Sequence, residues 1–235
     1  MNSPVRRHLA KFAERQQRTE KTKKSGETVD NGNHAQPQSG KDYSLEHYQA
    51  AMSADLAKLA AIRDITEKAM VKKQLIDTYW PFVKKYLDNG DNYPNDIAVR
   101  ICIWLFDILD IERGLNVALT LIKQNQIMPA KFDRDLPTFV CDAMYDLAAA
   151  LLKVNPQQSA SPYLDALVAE IDNGQWSLAP MVHSKMYAIL AKHKSRVGEY
   201  AACIALCDKA EQVNPEKAGV KGLKADAQEK LSKEH

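Results

Sequence analysis

Residues 96–125 read "DIAVRICIWLFDILDIERGLNVALTLIKQN", and this stretch decides the fold class. Its first part is apolar nearly all round, so it predicts the most buried helix of the protein. From Asp110 onward, apolar side chains recur at the spacing of one helix face, at Leu115, Ala118, Leu119 and Ile122. No alternating strand pattern bounded by hairpin turns occurs in the chain. The sequence therefore predicts an all-α fold.

The segments on either side carry the same helical spacing. Upstream, the apolar positions are Leu45, Tyr48, Met52, Leu56, Leu59 and Ile62, then Leu75, Ile76, Tyr79 and Val83. Because proline removes a backbone donor, we expect the second of these helices to bend or break near Pro81. Downstream, residues 161–174 predict a short helix with Ser161 as N-cap and Gly174 past its end. We expect about eight or nine helices in total.

Residues 198–215, "GEYAACIALCDKAEQVNP", resemble the second helix of a tetratricopeptide repeat, in which small residues let two helices approach closely. The positions that carry the resemblance are Gly198, Tyr200, Cys203, Ile204, Cys207, Ala210, Asn214 and Pro215. Residues 110–125 resemble the same helix more weakly. They lie 89 residues earlier, a separation that does not fit a regular repeat of about 34 residues. We therefore predict helical hairpins stacked in a tetratricopeptide-like manner, with intervening helices.

Positive charge is concentrated at the start of the chain. Residues 1–41 contain nine Lys or Arg and four Asp or Glu, whereas the rest of the chain contains 23 Lys or Arg and 26 Asp or Glu. An arm with a net charge of +5 therefore precedes a body with a net charge of −3. Residues 20–42 are rich in Gly, Asn, Gln and Ser and cannot bury enough surface to offset their ordering entropy. The sequence predicts a basic, largely disordered arm and linker over 1–42, a helical hairpin for DNA binding or oligomerisation over 43–90, and a helical-repeat-like body over 91–235.

Basic side chains of the arm and of the second helix are the candidate DNA-binding residues. The arm set is Arg6, Arg7, Lys11, Arg15 and Arg18, extended by Lys21, Lys23 and Lys24. A helix would align the first five into a stripe that neutralises phosphates and releases counterions. The second set is Lys68, Lys72, Lys73, Lys84 and Lys85, of which the first three are candidate DNA-binding residues. A solubilising tail and an ordinary solvated helix face are the alternative interpretations of the two sets.

The sequence lacks motifs for catalysis and metal binding. No G-x-x-x-x-G-K-[ST] loop occurs, and the nearest stretch, "GVKGLK" at residues 219–224, has the wrong spacing for a phosphate-binding loop. Cys203 and Cys207 could offer two thiolates to a metal, but a structural zinc site needs four ligands, so packing is the favoured interpretation. Asp133 and Asp135 could hold Mg²⁺ for phosphodiester cleavage, although solvated loop charges are favoured. We predict no catalytic residue, no metal site and no cofactor.

Cysteine usage and hydropathy indicate the compartment. The four cysteines are scattered in apolar helical contexts and no secretory signal is evident, so we expect reduced thiols in a cytosol. The most apolar stretch, residues 101–109, is shorter than the roughly 18 residues that a membrane span needs. We expect a protein that is not integral to a membrane.

Several motifs together resemble the small terminase subunit family of cohesive-end, contractile-tailed temperate phages. "NSPVRRH" at residues 2–8 is similar to the family's Ser-Pro-x-x-Arg-His start, and residues 68–83 are similar to its basic segment followed by Trp-Pro. The centre of the chain resembles the family pattern at Asp96, Ile97, Trp104, Asp107, Asp110, Met128 and Pro129. Family members often carry Gly before the residue that matches Asp110, whereas this chain has Leu109, so we do not expect a tight turn there.

The resemblance implies a subunit that binds the packaging site of double-stranded phage DNA as a ring-like homo-oligomer. It further implies delivery of that DNA to a large terminase subunit holding the ATPase and the nuclease, in the cytoplasm of the bacterial host. Such a subunit would be regulatory and not itself an enzyme, and the resemblance adds His8 to its candidate DNA-binding residues. Two other interpretations stay open: a tetratricopeptide-like adaptor between proteins that does not bind DNA, and an endonuclease in its own right.

Overall fold

The computed structural model describes residues 44–154, 160–174 and 176–233. In these ranges the chain forms nine α-helices and no strand, which confirms the predicted all-α class for this part of the protein. The helices are α1 (Leu45–Ala61), α2 (Ile65–Asp88), α3 (Asp96–Asp107), α4 (Ile111–Lys123), α5 (Leu136–Val154), α6 (Tyr163–Asp172), α7 (Pro180–Arg196), α8 (Tyr200–Val213) and α9 (Lys221–Lys233). The predicted basic arm lies outside the described residues.

The described helices belong to two compact units, a first with α1 to α4 and a second with α5 to α9, which divide between residues 129 and 130. In the first unit, α2 packs against α1 and α3, and α3 also packs against α1 and α4. In the second unit, α7 is central because α5, α6, α8 and α9 all pack against it. The functional division into residues 43–90 and 91–235 stays a prediction.

The core of the first unit is built around α3. Nine of its twelve residues are buried, which confirms the expectation of a deeply buried helix. Gly114 of α4 allows a close approach, since a Cβ at this position would lie 3.3 Å from the Phe106 ring. The Cys102 thiol of α3 donates to the Gly114 carbonyl oxygen at 3.7 Å. The absence of a side chain at Gly114 thus fixes the distance between the two helices.

Side-chain caps mark where the helices of the first unit begin. Asp64 accepts hydrogen bonds from the Thr66 and Glu67 amides at 2.9 and 2.8 Å, so α2 begins at the next residue, Ile65. The helix then continues through Pro81, so a break there is wrong, while a bend stays a prediction. Tyr79 and Val83 on either side of the proline are fully buried, and their packing outweighs the missing backbone hydrogen bond.

A tight turn ends α3 at Leu109, whose φ is +64°. The Leu109 amide donates to the Phe106 carbonyl at 3.1 Å and the Asp110 amide to the Leu105 carbonyl at 2.9 Å, the bond pair that closes many helix C-termini. The expectation of no tight turn before Asp110 is therefore wrong. Leu109 adopts the left-handed backbone conformation that glycine usually adopts at this position of a helix end.

In the second unit, α6 buries the apolar face that its sequence predicts. Its buried residues are Leu164, Leu167, Val168 and Ile171, and Gly174 with φ +71° follows the helix end. Pro162, and not Ser161, is the N-cap residue of α6, and the Ser161 hydroxyl donates to the Asp165 carboxylate. Next along the chain, α7 and α8 form a hairpin through residues 197–199. The tetratricopeptide-like stacking of such hairpins stays a prediction.

Candidate nucleic-acid interface

Three of the twelve predicted DNA-binding residues lie in the described part of the chain, and all three are on α2. They are Lys68, Lys72 and Lys73. The other nine lie outside the described residues: Arg6, Arg7, His8, Lys11, Arg15, Arg18, Lys21, Lys23 and Lys24. The structure therefore brings the second basic set onto one helix and leaves the arm set as a sequence prediction.

Lys72 is part of the packing between α2 and α3. It lies one turn before Ile76, which is fully buried, and so shares the inward face of α2. Its ammonium forms an ion pair with the Asp107 carboxylate of α3, and the two side chains are only 18% and 17% exposed. The Tyr79 hydroxyl of the same face donates to Asp55 of α1 at 2.9 Å. Lys72 thus has a partner that neutralises its charge within the fold.

The remaining lysines of α2 differ in how far their charge is available. Lys73 is exposed and Lys68 half-buried, and neither has an ion-pair partner among the described residues. Lys84 pairs with Asp88 one turn later, an exposed pair of small energetic weight. On α2, Lys68 and Lys73 are therefore better placed than Lys72 to meet a phosphate.

An arginine that the sequence reasoning missed stacks on Trp80 of α2. The Arg113 guanidinium of α4 lies 5.1 Å from the centre of the Trp80 ring. Two of its nitrogens contact the Asp110 carboxylate at 2.7 and 2.6 Å. The spacing of Asp110 and Arg113 could have indicated this pair, since residues three apart on a helix are neighbours. Because Asp110 neutralises it, Arg113 contributes to packing more than to anion binding.

The second unit holds a polar cluster that joins α6, α7 and α8. The Tyr187 hydroxyl donates to Asp172 at 2.5 Å, and the Lys209 ammonium contacts the other carboxylate oxygen at 2.7 Å. His183 Nε2 lies 2.9 Å from the Tyr187 hydroxyl. Burial and the Asp172 contact raise the pKa of Tyr187, so the phenol stays protonated as a donor. These groups satisfy one another, which suits a structural role.

A family model described as phage small terminase subunit matches residues 49–178, more than half of the chain. The chain belongs to the phage small terminase subunit family. The resemblance read from its sequence is thereby confirmed. As a small terminase subunit, the protein belongs to the machinery of phage DNA packaging.

Two curated phage proteins are similar to this small terminase subunit. It is 33% identical over 198 residues to a "Probable terminase, endonuclease subunit" of Haemophilus phage HP1 (strain HP1c1), an alignment that covers 78% of this chain and 68% of the relative. It is 25% identical over 177 residues to a "Terminase, endonuclease subunit" of Escherichia phage P2, with 75% and 70% covered. No solved structure matches the chain.

Asp135, Cys203 and Cys207, which were considered as metal ligands, lie in surroundings that indicate a structural role in this terminase subunit. Asp135 accepts from the Thr138 amide at 2.9 Å at the start of α5. Cys203 and Cys207 are buried, and burial raises the pKa of the Cys207 thiol to about 12. Across the described ranges, no three His, Cys, Asp or Glu side chains are grouped so as to hold a metal ion. No described helix is both long and apolar enough to cross a membrane.

Proposed function

We propose that this small terminase subunit binds the packaging site of the phage DNA and presents it to the large terminase subunit, which cuts and packages the genome. The observation that carries this function is the charge asymmetry of a family member, +5 over residues 1–41 and −3 over the rest. Several such arms in a ring-like homo-oligomer add avidity without new kinds of contact. The subunit needs no cofactor and works in the cytoplasm of the bacterial host.

The arm supplies most of the phosphate contacts in this proposal, with Lys68 and Lys73 of α2 adding to them. Phosphate contacts hold and orient a duplex but do not read its bases. Their strength falls steeply with salt because binding releases condensed counterions. The exposed position of Lys73 supports its inclusion, whereas Lys72 is already paired with Asp107.

An endonuclease is the second candidate, and the names of the phage HP1 and phage P2 relatives favour it. Metal-dependent cleavage of a phosphodiester needs carboxylates that hold one or two divalent cations. Because the described residues offer no such group, we propose a regulatory subunit without catalysis of its own. Supercoiled plasmid incubated with the purified chain and Mg²⁺ or Mn²⁺ is expected to stay intact, and metal-dependent nicking would establish the endonuclease instead.

Neutralising the arm tests the DNA contact. The variant carries Arg6→Gln, Arg7→Gln, Lys11→Gln, Arg15→Gln and Arg18→Gln in the full-length chain. Binding to packaging-site DNA and to a scrambled duplex is titrated across salt by fluorescence anisotropy. The slope of log affinity against log salt is expected to fall by about 0.9 for each phosphate that the variant no longer neutralises, or by up to about 4.5 for all five substitutions.

A control with Gln16→Ala and Gln17→Ala changes the same segment without changing its charge and should keep the slope of the wild type. An unchanged slope after neutralisation of the arm would place the DNA contact elsewhere. A wild-type chain that binds neither duplex at low salt would favour the tetratricopeptide-like adaptor.

A further inference from the structure

We infer that α7 carries a second site for the DNA backbone, formed by Lys185, Lys192 and Arg196. The site consists of residues of the second unit only, and rests on the proposed function for the identity of its ligand. Within its 17 residues α7 has four Lys or Arg and no Asp or Glu. The helix begins after residue 178, where the match to the family model ends.

The three cations lie on one face of α7. They follow one another at intervals of seven and four residues, which returns to the same side of a helix. From the first to the last, they span about 16 Å along the axis at the rise of an α-helix. All three side chains are exposed, and the small Ala188 lies between them on this face. A rod-shaped ligand can therefore contact all three at once.

The structure neutralises the fourth cation of α7 but not these three. Lys194, on the side towards α6, pairs with Asp165 at 2.9 Å and with Glu199 at 2.8 Å. Lys192 and Arg196 have no carboxylate partner among the described residues. The Lys185 ammonium lies 4.3 Å from the centre of the Tyr145 ring of α5, a contact that orients it and keeps its charge. The face thus presents three positive charges to solvent.

A DNA backbone fits this face better than a protein surface does. Like charges four residues apart on a helix, such as Lys192 and Arg196, destabilise it, and a polyanion removes that repulsion. Duplex DNA carries one negative charge per about 1.7 Å of axis, or roughly nine charges over the length of the face. A protein would have to place carboxylates at three matched positions. The continuous charge of DNA needs no such match.

The test is a full-length Lys185→Gln/Lys192→Gln variant titrated with packaging-site and scrambled DNA across salt. The slope of log affinity against log salt is expected to fall by about 1.8, since each phosphate that a cation neutralises contributes about 0.9. The decrease should be equal for the two duplexes, because backbone contacts carry no sequence information. The matched control is Lys217→Gln/Lys221→Gln, which removes two exposed charges from the same unit. An equal decrease in the control would overturn the site.

A single Lys192→Glu variant separates binding from folding. Its glutamate stands four residues before Arg196 and forms a favourable pair, so the melting temperature should stay the same or rise while DNA binding weakens. A lower melting temperature with unchanged DNA binding would overturn the site.

The arm-neutralised variant, measured beside these, distinguishes the two DNA contacts. A smaller slope in the arm variant with an unchanged slope in Lys185→Gln/Lys192→Gln overturns the α7 site and leaves the proposed function standing. A smaller slope in Lys185→Gln/Lys192→Gln with an unchanged slope in the arm variant supports the α7 site and rules out the arm as a DNA contact. A wild-type chain that binds neither duplex overturns both. If the α7 variant keeps its DNA slope but no longer retains the large subunit in a pull-down, the face binds protein and the α7 site for DNA is overturned.

Discussion

Leu109 adopts the left-handed conformation, with φ +64°, at a helix end where other positions of this chain have Gly or Asn. Gly90 after α2 and Asn125 after α4 make corresponding turns at φ +67° and +54°. The conformation costs a residue with a Cβ about 1–2 kcal/mol, whereas glycine tolerates it. Leu109→Gly should therefore raise the free energy of unfolding by about 0.5–1 kcal/mol after the larger chain entropy of glycine is subtracted. Urea denaturation followed by circular dichroism measures it.

Gly90→Ala is the matched control, because a Cβ at Gly90 would meet no atom within 4 Å and only the backbone conformation opposes it. It should lower the free energy of unfolding by about 1 kcal/mol. A decrease in Leu109→Gly as well would mean that the half-buried leucine side chain contributes more than the strain of the turn. The sequence does not reveal this turn, since Leu109 ends an apolar run and matches the helical pattern around it.

The contact between α3 and α4 depends on the missing side chain of Gly114. A Cβ there would lie 3.3 Å from the Phe106 ring and 3.5 Å from the Leu105 Cβ, and both residues are fully buried. Gly114→Ala should lower stability by about 1 kcal/mol, because overpacking outweighs the gain in helix propensity. Gly222→Ala in α9 meets nothing within 4 Å and should raise it by about 0.5–1 kcal/mol. Equal gains in both variants would show that Phe106 yields and the close approach is no constraint.

Helices with one buried face were predictable, and contacts between helices were not. The buried face of α6 follows from local spacing, because burial selects apolar residues every three or four positions. The continuity of α2 through Pro81 depends on packing that no local pattern contains. Lys72 likewise pairs with Asp107, 35 residues away, so its charge cannot be judged from its neighbours in sequence. Candidate residues for a charged interface therefore need the fold before they can be ranked.

Charge is distributed unevenly over the whole molecule. Counting along the chain finds the basic arm, because its charges are contiguous. It does not find the three cations of α7, because α6, with three Asp or Glu and no Lys or Arg, lies before it and balances the count. Only helix orientation shows that Lys194 turns towards α6 while the others face solvent. Among the described residues, the first unit has only the exposed His47, whereas the second unit contains the buried His193.

His193 of α7 is 2% exposed and joins α5 to the segment before α6. Its Nε2 lies 3.1 Å from the Ala148 carbonyl oxygen, and its Nδ1 accepts from the Ala160 amide at 3.4 Å. A ring that accepts at one nitrogen and donates at the other is neutral. Burial lowers the pKa of His193, Arg196 acts in the same direction, and the Ala148 carbonyl and Asp165 oppose them. Protonation of Nδ1 would place its N–H opposite the Ala160 N–H, so this hydrogen bond would be lost.

The second unit should therefore lose stability in mild acid while the first does not. Below the unfolded pKa of about 6.5 the unfolded chain binds a proton that the folded His193 does not, so this contribution is complete above that pH and falls below it. The slope for one such group is at most about 1.4 kcal/mol per pH unit. Hydrogen exchange at pH 7.5 and 5.5, corrected for intrinsic rates, should show lower protection in α7 and unchanged protection in α3. His193→Gln should reduce the difference to the part contributed by His183 of the same helix, whose pKa burial also lowers, and the exposed His47→Gln should keep it in full. Equal losses in α3 and α7 would assign the acid sensitivity to groups other than His193.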